Sequence, residues 1–132
     1  MSNAIAFVDL RYPYGRSNVR LNGSLVGAAA RLYAGGAAVS WADENIDPQD
    51  TIGRMLESCD AVGISAYGAP YIPVALRFAR QWQHRKIPVI IGGQAIEALT
   101  PTQFDAIFAG TNARQYTNER AFVHLCDRPI PS

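Results

Sequence analysis

The sequence predicts an α/β fold in which a doubly wound, five-stranded parallel sheet has strand order 2-1-3-4-5 and helices on both faces. Short apolar runs alternate with amphipathic segments along the 132 residues, a length that suits one domain. The runs are too short for buried helices and read as strands buried on both faces. Because parallel strands need right-handed crossovers, five of them favour the order 2-1-3-4-5.

The first half of the chain supplies two strands and two helices. An apolar run ending near Asp9 is followed by a loop rich in Pro, Gly, Ser and Asn, and then by leucines at helical spacing. The glycine pair 35–36 ends this helix. The strands are expected at residues 4–10 and 37–42, and the helices at 24–33 and 48–59.

The second half supplies three more strands. Val74, Phe78 and Trp82 recur at helical spacing between two apolar runs, which predicts an intervening amphipathic helix. A short helix is expected after the glycine pair 92–93. The strands are placed at 61–66, 87–91 and 105–110, and the helices at 71–84 and 118–126. Residues 1–126 are therefore expected to form one domain, and residues 127–132 the start of a linker.

Composition narrows the classes of function. The net charge is +1, so bulk electrostatics do not favour nucleic-acid binding. No apolar run approaches ~18 residues, and the N-terminus lacks the features of a signal peptide, so no membrane association is expected. Cys59 and Cys126 have no metal-like spacing around them and are interpreted as inert thiols in a reducing cytoplasm.

The loop after the first strand carries the densest set of polar and aromatic candidates. Ligands of doubly wound sheets bind beyond the carboxyl ends of the strands, near the switch between strands 1 and 3. Arginine there could take a phosphate or carboxylate, although a solvated loop with packed tyrosines is the alternative. The candidates in this loop are Arg11, Tyr12, Tyr14, Gly15, Arg16 and Ser17.

Three further strand ends hold small residues. A hydroxyl and glycines would leave room for a ligand and expose main-chain groups, whereas simple tight turns are the alternative at each position. The candidates are Ser65, Ala66 and Tyr67 after strand 3, Gly92 and Gly93 after strand 4, and Gly110 and Thr111 after strand 5.

Several other doubly wound classes lack their motifs. A phosphoacceptor receiver needs an Asp at the end of strand 3, a flavodoxin needs a small polar phosphate loop after strand 1, and neither is present. G-x-G-x-x-G, the P-loop and the G-x-S-x-G elbow are also missing. His84 and His124 are each interpreted as a surface or partly buried helical residue rather than a ligand or a base. Catalysis by this chain alone is not expected.

The segment "DAVGISAYGAPYIPVALRFARQWQHRKIPVIIGGQAIEALTPTQFDAIFAG", with "VDLRYPYGR" and "WADENIDP", resembles the cobalamin (B12)-binding domain found ahead of many radical-SAM cores. The similarity spans about residues 4–125. It implies a Rossmann-like domain that holds a corrinoid at the carboxyl edge of the sheet. Ser65 would match the strand-3 serine of that family, and Gly92 and Gly93 its strand-4 glycines, which make room for the nucleotide tail.

The sequence departs from this family in two motifs. The D-x-H-x-x-G loop, whose His coordinates cobalt, is absent, and no Gly-Glu pair follows the expected strand 5. No C-x-x-x-C-x-x-C is present, so S-adenosylmethionine and a 4Fe-4S cluster would belong to another domain. The expected function is a corrinoid-holding module of a radical-SAM enzyme, with a methyltransferase as the suggested context. The alternatives are a degenerate domain that contacts substrate or other domains, and a small enzyme binding a phosphorylated metabolite at Arg11 and Arg16.

Overall fold

Five parallel strands form one sheet in the order β2-β1-β3-β4-β5, which confirms the expected fold class. The structure is a computed structural model and describes residues 4–13, 30–66 and 68–116. Each pair of neighbouring strands is joined in one uninterrupted parallel register. The strands are β1 (Ala4–Asp9), β2 (Ala38–Asp43), β3 (Ala61–Ser65), β4 (Val89–Gly92) and β5 (Ala113–Gln115).

Helices connect the strands in the expected alternation. The expected helix 118–126 and most of 24–33 lie outside the described residues, although residues 30–34 are helical. The expected helix 71–84 ends at Gln81 and continues as a single 3₁₀ turn, Gln83–Arg85. The helices are α1 (Gln49–Glu57), α2 (Tyr71–Gln81), α3 (Gln94–Glu97) and α4 (Pro101–Ile107).

The expected fifth strand at 105–110 is wrong, because these residues belong to α4 and the turn after it. The Thr100 side chain accepts a hydrogen bond from the Gln103 N–H while the Gln103 side chain accepts one from the Thr100 N–H, a reciprocal cap that starts a helix. Phe104 and Phe108 then stack on one buried face, with ring centroids 4.6 Å apart. The true β5 follows the turn.

The two faces of the sheet bury separate apolar clusters. Alternate residues of each strand point to opposite faces. The face beneath α1 to α4 carries Ala6, Val8, Val62, Ile64, Val89 and Ile91. The opposite face carries Ile5, Phe7, Ala61 and Ile90, and Leu32 of the helical residues 30–34 packs on it. Helices thus cover both faces, as a doubly wound sheet requires.

In helix α2 the apolar residues at helical spacing form the face that packs on the sheet. Ala75, Phe78 and Ala79 are fully buried on the side that faces the sheet. Burying the Phe78 ring alone stabilises the fold by roughly 1.5–3 kcal/mol. Because α2 follows β3 and precedes β4, it begins at the carboxyl edge of the sheet and ends at the amino edge. None of the helices in the described part of the chain is long and apolar enough to cross a bilayer.

Candidate functional site

Five residues at the ends of the five strands form a row along the carboxyl edge, on the sheet face opposite α1 to α4. Asp43 pairs with Asp9, and Ser65 pairs with Gly92. Phe7 of β1 pairs with Gly63 of β3, so two residues further along Asp9 lies level with Ser65. Ile91 of β4 pairs with Gln115 of β5, so Gly92 lies level with Tyr116. The edge expected from sequence to carry the site therefore brings Ser65 and Gly92 side by side.

The middle of this row is a trough of small residues between aromatic walls. Gly63, Ser65 and Gly92 share the face, and all three are buried. On one side the Phe7 and Trp41 rings stack with centroids 5.7 Å apart. We refer to Gly63, Ser65 and Gly92 as the trough.

The Ser65 hydroxyl is buried and has no hydrogen-bond partner among the described residues. The residue is 4% exposed. A buried hydroxyl without a partner costs about 1–3 kcal/mol. Such an orphan polar group is compatible with a site that a ligand atom completes, and it is the observation at this edge that points to a ligand.

A glycine is needed at position 92 because the Tyr116 side chain packs directly against it. A Cβ added at Gly92 would lie 3.0 Å from Cδ1 and 3.2 Å from Cβ of Tyr116. Tyr116 therefore forms the β5 wall of the trough. Sequence reasoning missed this residue, because it follows a strand that the apolar pattern places too early in the chain.

A glycine is needed at position 93 for a different reason. Its φ is +104°, and an added Cβ would lie 2.5 Å from the Ala66 carbonyl oxygen and 2.7 Å from Ser65 Oγ. That carbonyl accepts a hydrogen bond from the Ala95 N–H, and the Ala66 N–H donates to the Gly92 carbonyl. The close approach joins the ends of β3 and β4. The expectation that the turn presents N–H groups to a ligand does not hold for Ala95, whose N–H already has a main-chain partner.

The turn after β2 holds the beginning of the loop that follows β1. The Tyr12 N–H donates to Asn45 Oδ1 at 2.8 Å, and Asn45 Nδ2 donates to the Leu10 carbonyl at 3.1 Å. Asp43 in turn accepts from the Asn45 backbone and side chain. The side-chain amide of Asn45 thus ties two chain segments that meet at the carboxyl edge.

Glu44 completes this attachment from a fully buried position. Its Oε1 accepts from the Arg11 N–H at 3.0 Å, and its carboxylate takes two hydrogen bonds from Arg77 of α2 at 2.7 and 2.8 Å. The Glu44 side chain is 0% exposed, against 38% for Arg77. The sequence identified the acidic turn, but the Arg77 partner lies 33 residues away and no local pattern pointed to it.

The remaining candidates of the first loop divide into two groups. Arg11 is exposed and Tyr12 is half-buried against the α1–α4 side of the core. Asp9, just before them, accepts a hydrogen bond from Trp41 Nε1 at 2.9 Å. The predictions for Tyr14, Gly15, Arg16, Ser17 and Tyr67 lie outside the described residues.

Gly110 and Thr111 lie at the opposite edge from the row, which corrects their assignment as residues after strand 5. They precede β5, and Thr111 Oγ1 donates to the Phe108 carbonyl at 2.7 Å and accepts from the Ala113 N–H. Thr111 lines an open cleft of about 310 Å³ beside Lys86 and Arg114 at the amino edge. They cannot contact a ligand that lies across the ends of β3 and β4.

No group of three or more His, Cys, Asp or Glu side chains in the described segments could hold a metal ion. The described histidine, His84, lies in the 3₁₀ turn after α2, at the amino edge of the sheet. It is therefore too remote to ligate a group above the trough.

Comparison with solved structures finds a protein of similar fold, described as a novel cobalamin-binding protein from Desulfitobacterium hafniense DCB-2. The TM-score is 0.62 at 14% sequence identity, and the match covers 92% of this chain and 56% of that one. The chain thus spans a little over half of that protein's length. No family model matches this sequence, and no curated protein matches it. At this identity the two proteins share a fold.

Proposed function

We propose that this chain is a cobalamin-binding module that holds a corrinoid at the carboxyl edge of its sheet, beside a radical-SAM catalytic domain. The unpartnered Ser65 hydroxyl in the trough carries the proposal. The fold shared with a protein described as cobalamin-binding supports it. So does the switch point between β1 and β3, where ligands of doubly wound sheets bind.

The residues at this edge are better suited to binding the flat tail of a corrinoid than to coordinating its cobalt. Ser65 would donate to or accept from a polar atom of the tail, the trough would leave space for a ring, and the Phe7–Trp41 stack would bound it. The first loop has no histidine, so the corrinoid would be held by its periphery. When bound, the corrinoid would supply cobalt-centred chemistry such as methyl transfer, and the neighbouring domain would supply S-adenosylmethionine and the iron–sulfur cluster.

Binding would require one local rearrangement. Ser65 Oγ is shielded from solvent, so a ligand reaches it only after a covering group moves aside. Tyr116 packs on the adjacent Gly92 and is well placed to make that movement. A ring that swings off Gly92 would open the trough from the β5 side.

The test is a pair of measurements on Ser65→Ala. Loss of an orphan hydroxyl should leave the free chain at least as stable as the parent, while loss of one ligand hydrogen bond should weaken hydroxocobalamin binding by about 3–10-fold. Absorbance titration gives the affinity and urea unfolding gives the stability. Ser58→Ala is the matched control, because its exposed hydroxyl donates to the Met55 carbonyl, far from the trough. The absence of hydroxocobalamin binding by the parent chain would refute the proposal.

A second candidate is an interaction module that has kept the fold without the ligand. The packing of Tyr116 on Gly92 and the main-chain contact at Gly93 favour it, because both glycines then serve the protein itself. Tyr116→Ala separates the two candidates. If the trough is a corrinoid site, the variant should bind hydroxocobalamin more tightly than the parent, because the Tyr116 ring no longer packs on Gly92. An interaction module should bind none in either form, and its variants should instead impair the activity of the catalytic domain to which it is joined.

A further inference from the structure

We propose that Glu44 is the positioning residue for the start of the loop after β1, residues 10–13, with Arg77 holding its carboxylate so that the backbone at Arg11 leaves the sheet in one direction. The proposal rests on the proposed function, since it concerns the loop expected to line that site. It adds to that function a pair of side chains that lie outside the trough and that no sequence pattern links.

The contacts at Glu44 join three elements. Its backbone N–H donates to the Asp9 carbonyl at the end of β1. Its Oε1 accepts from the Arg11 N–H and also from Arg77 Nη2, and its Oε2 accepts from Arg77 Nη1. The turn after β2, the loop after β1 and helix α2 therefore meet at one carboxylate.

The two-pronged contact with Arg77 fixes the orientation of that carboxylate. A planar guanidinium that binds both oxygens of a carboxylate prevents rotation about its last bond in a way that a single contact does not. Arg77 is itself held by Gln81, which accepts from Nη1 at 2.7 Å, and Gln81 donates to Gln49 at the start of α1. The arrangement is therefore anchored on two helices.

Stability alone does not account for this pair. Removing a carboxylate from water is costly, and apolar residues of similar size commonly replace a buried ion pair without loss of stability. An apolar pair could not accept the Arg11 N–H, however. Beyond packing, the charged pair fixes the direction of the chain at Arg11, close to the start of the loop after β1.

The experiment compares the parent chain with the double variant Glu44→Met/Arg77→Met, which leaves no unpaired charge behind. Amide hydrogen exchange by NMR follows the Arg11 N–H, urea unfolding follows the whole fold, and absorbance titration follows hydroxocobalamin. We expect Arg11 exchange to rise at least about tenfold and hydroxocobalamin affinity to fall about 5–30-fold, because the backbone at Arg11, no longer held by Glu44, must be ordered again on binding. Exchange in the middle of β3 should remain close to that of the parent.

Two further variants complete the test. Arg77→Lys keeps the positive charge but cannot make the paired hydrogen bonds to both Glu44 oxygens. The affinity of this variant for hydroxocobalamin should lie between those of the parent and the double variant. Glu57→Gln removes the charge from the exposed single contact of Glu57 with Arg85, 3.2 Å long, and should leave both Arg11 exchange and affinity unchanged.

The outcomes separate this inference from the function beneath it. Unchanged Arg11 exchange in the double variant would overturn the positioning role. So would faster exchange with unaltered affinity, and in that case corrinoid binding would stand. A parent chain that binds no hydroxocobalamin would overturn the proposed function and this inference with it.

Discussion

Replacement of Gly93 by alanine should destabilise the protein far more than the same replacement at Gly68. Both glycines follow strands at the carboxyl edge. Gly93 has a φ of +104°, and a Cβ added there would lie 2.5 Å from the Ala66 carbonyl oxygen. Among the residues that the structure describes, a Cβ added at Gly68 would meet only Pro70 Cδ, at 3.7 Å. The two sites thus differ in backbone conformation and in available space.

The expected cost follows from two contributions. With φ +104° and ψ 165°, Gly93 lies in a backbone region that is essentially restricted to glycine, where another residue costs roughly 1–3 kcal/mol. Moving the Ala66 carbonyl away from the new methyl group weakens its hydrogen bond with Ala95, which is worth about 0.5–1.5 kcal/mol. With the residual close contact we expect about 2–4 kcal/mol, or a fall in Tm of roughly 10 °C for a domain of this size.

Urea unfolding followed by circular dichroism measures both variants. Gly68→Ala should change the free energy of unfolding by no more than about 0.5 kcal/mol. Equal costs at the two positions would mean that the ends of β3 and β4 do not approach as closely as described, and the description of the trough would be wrong.

Two further changes test other elements. Thr100→Ala should cost about 1 kcal/mol by removing the cap of α4, whereas Thr102→Ala on the exposed side of that helix should cost little; equal effects in urea unfolding would contradict the cap. Burial raises the pKa of the Cys59 thiol above its ordinary value of 9.0, so the unfolded chain ionises first. The free energy of unfolding should therefore fall as the pH rises above about 9, and Cys59→Ala should reduce that slope; an unchanged slope would contradict the assignment.

The sequence predicted the parts of the fold that rest on local periodicity. β1, β3 and α2 carry long apolar patterns, and their bounds agree with expectation to within a few residues. β5 was misplaced because its three residues are only partly buried or exposed at the edge of the sheet and carry no apolar run. The nearby apolar segment at 105–110 instead forms the end of α4, which begins at the Thr100 cap, and the turn after it.

The candidate site was predictable only in its centre. Ser65 and Gly92 could be placed together because parallel strands end at one edge. Tyr116 could not, since its position depended on the correct β5. Glu44 and Arg77 meet through tertiary packing between a turn and a helix, which no spacing in the sequence indicates.

The central claim is that the trough takes a corrinoid, and amide chemical shifts of the labelled chain titrated with hydroxocobalamin test it most directly. The largest changes should fall at Ser65, Ala66, Gly92 and Tyr116, while Lys86 and Thr111, which line the cleft at the opposite edge, should stay unchanged. A spectrum without changes, or with changes confined to that opposite edge, would contradict the account.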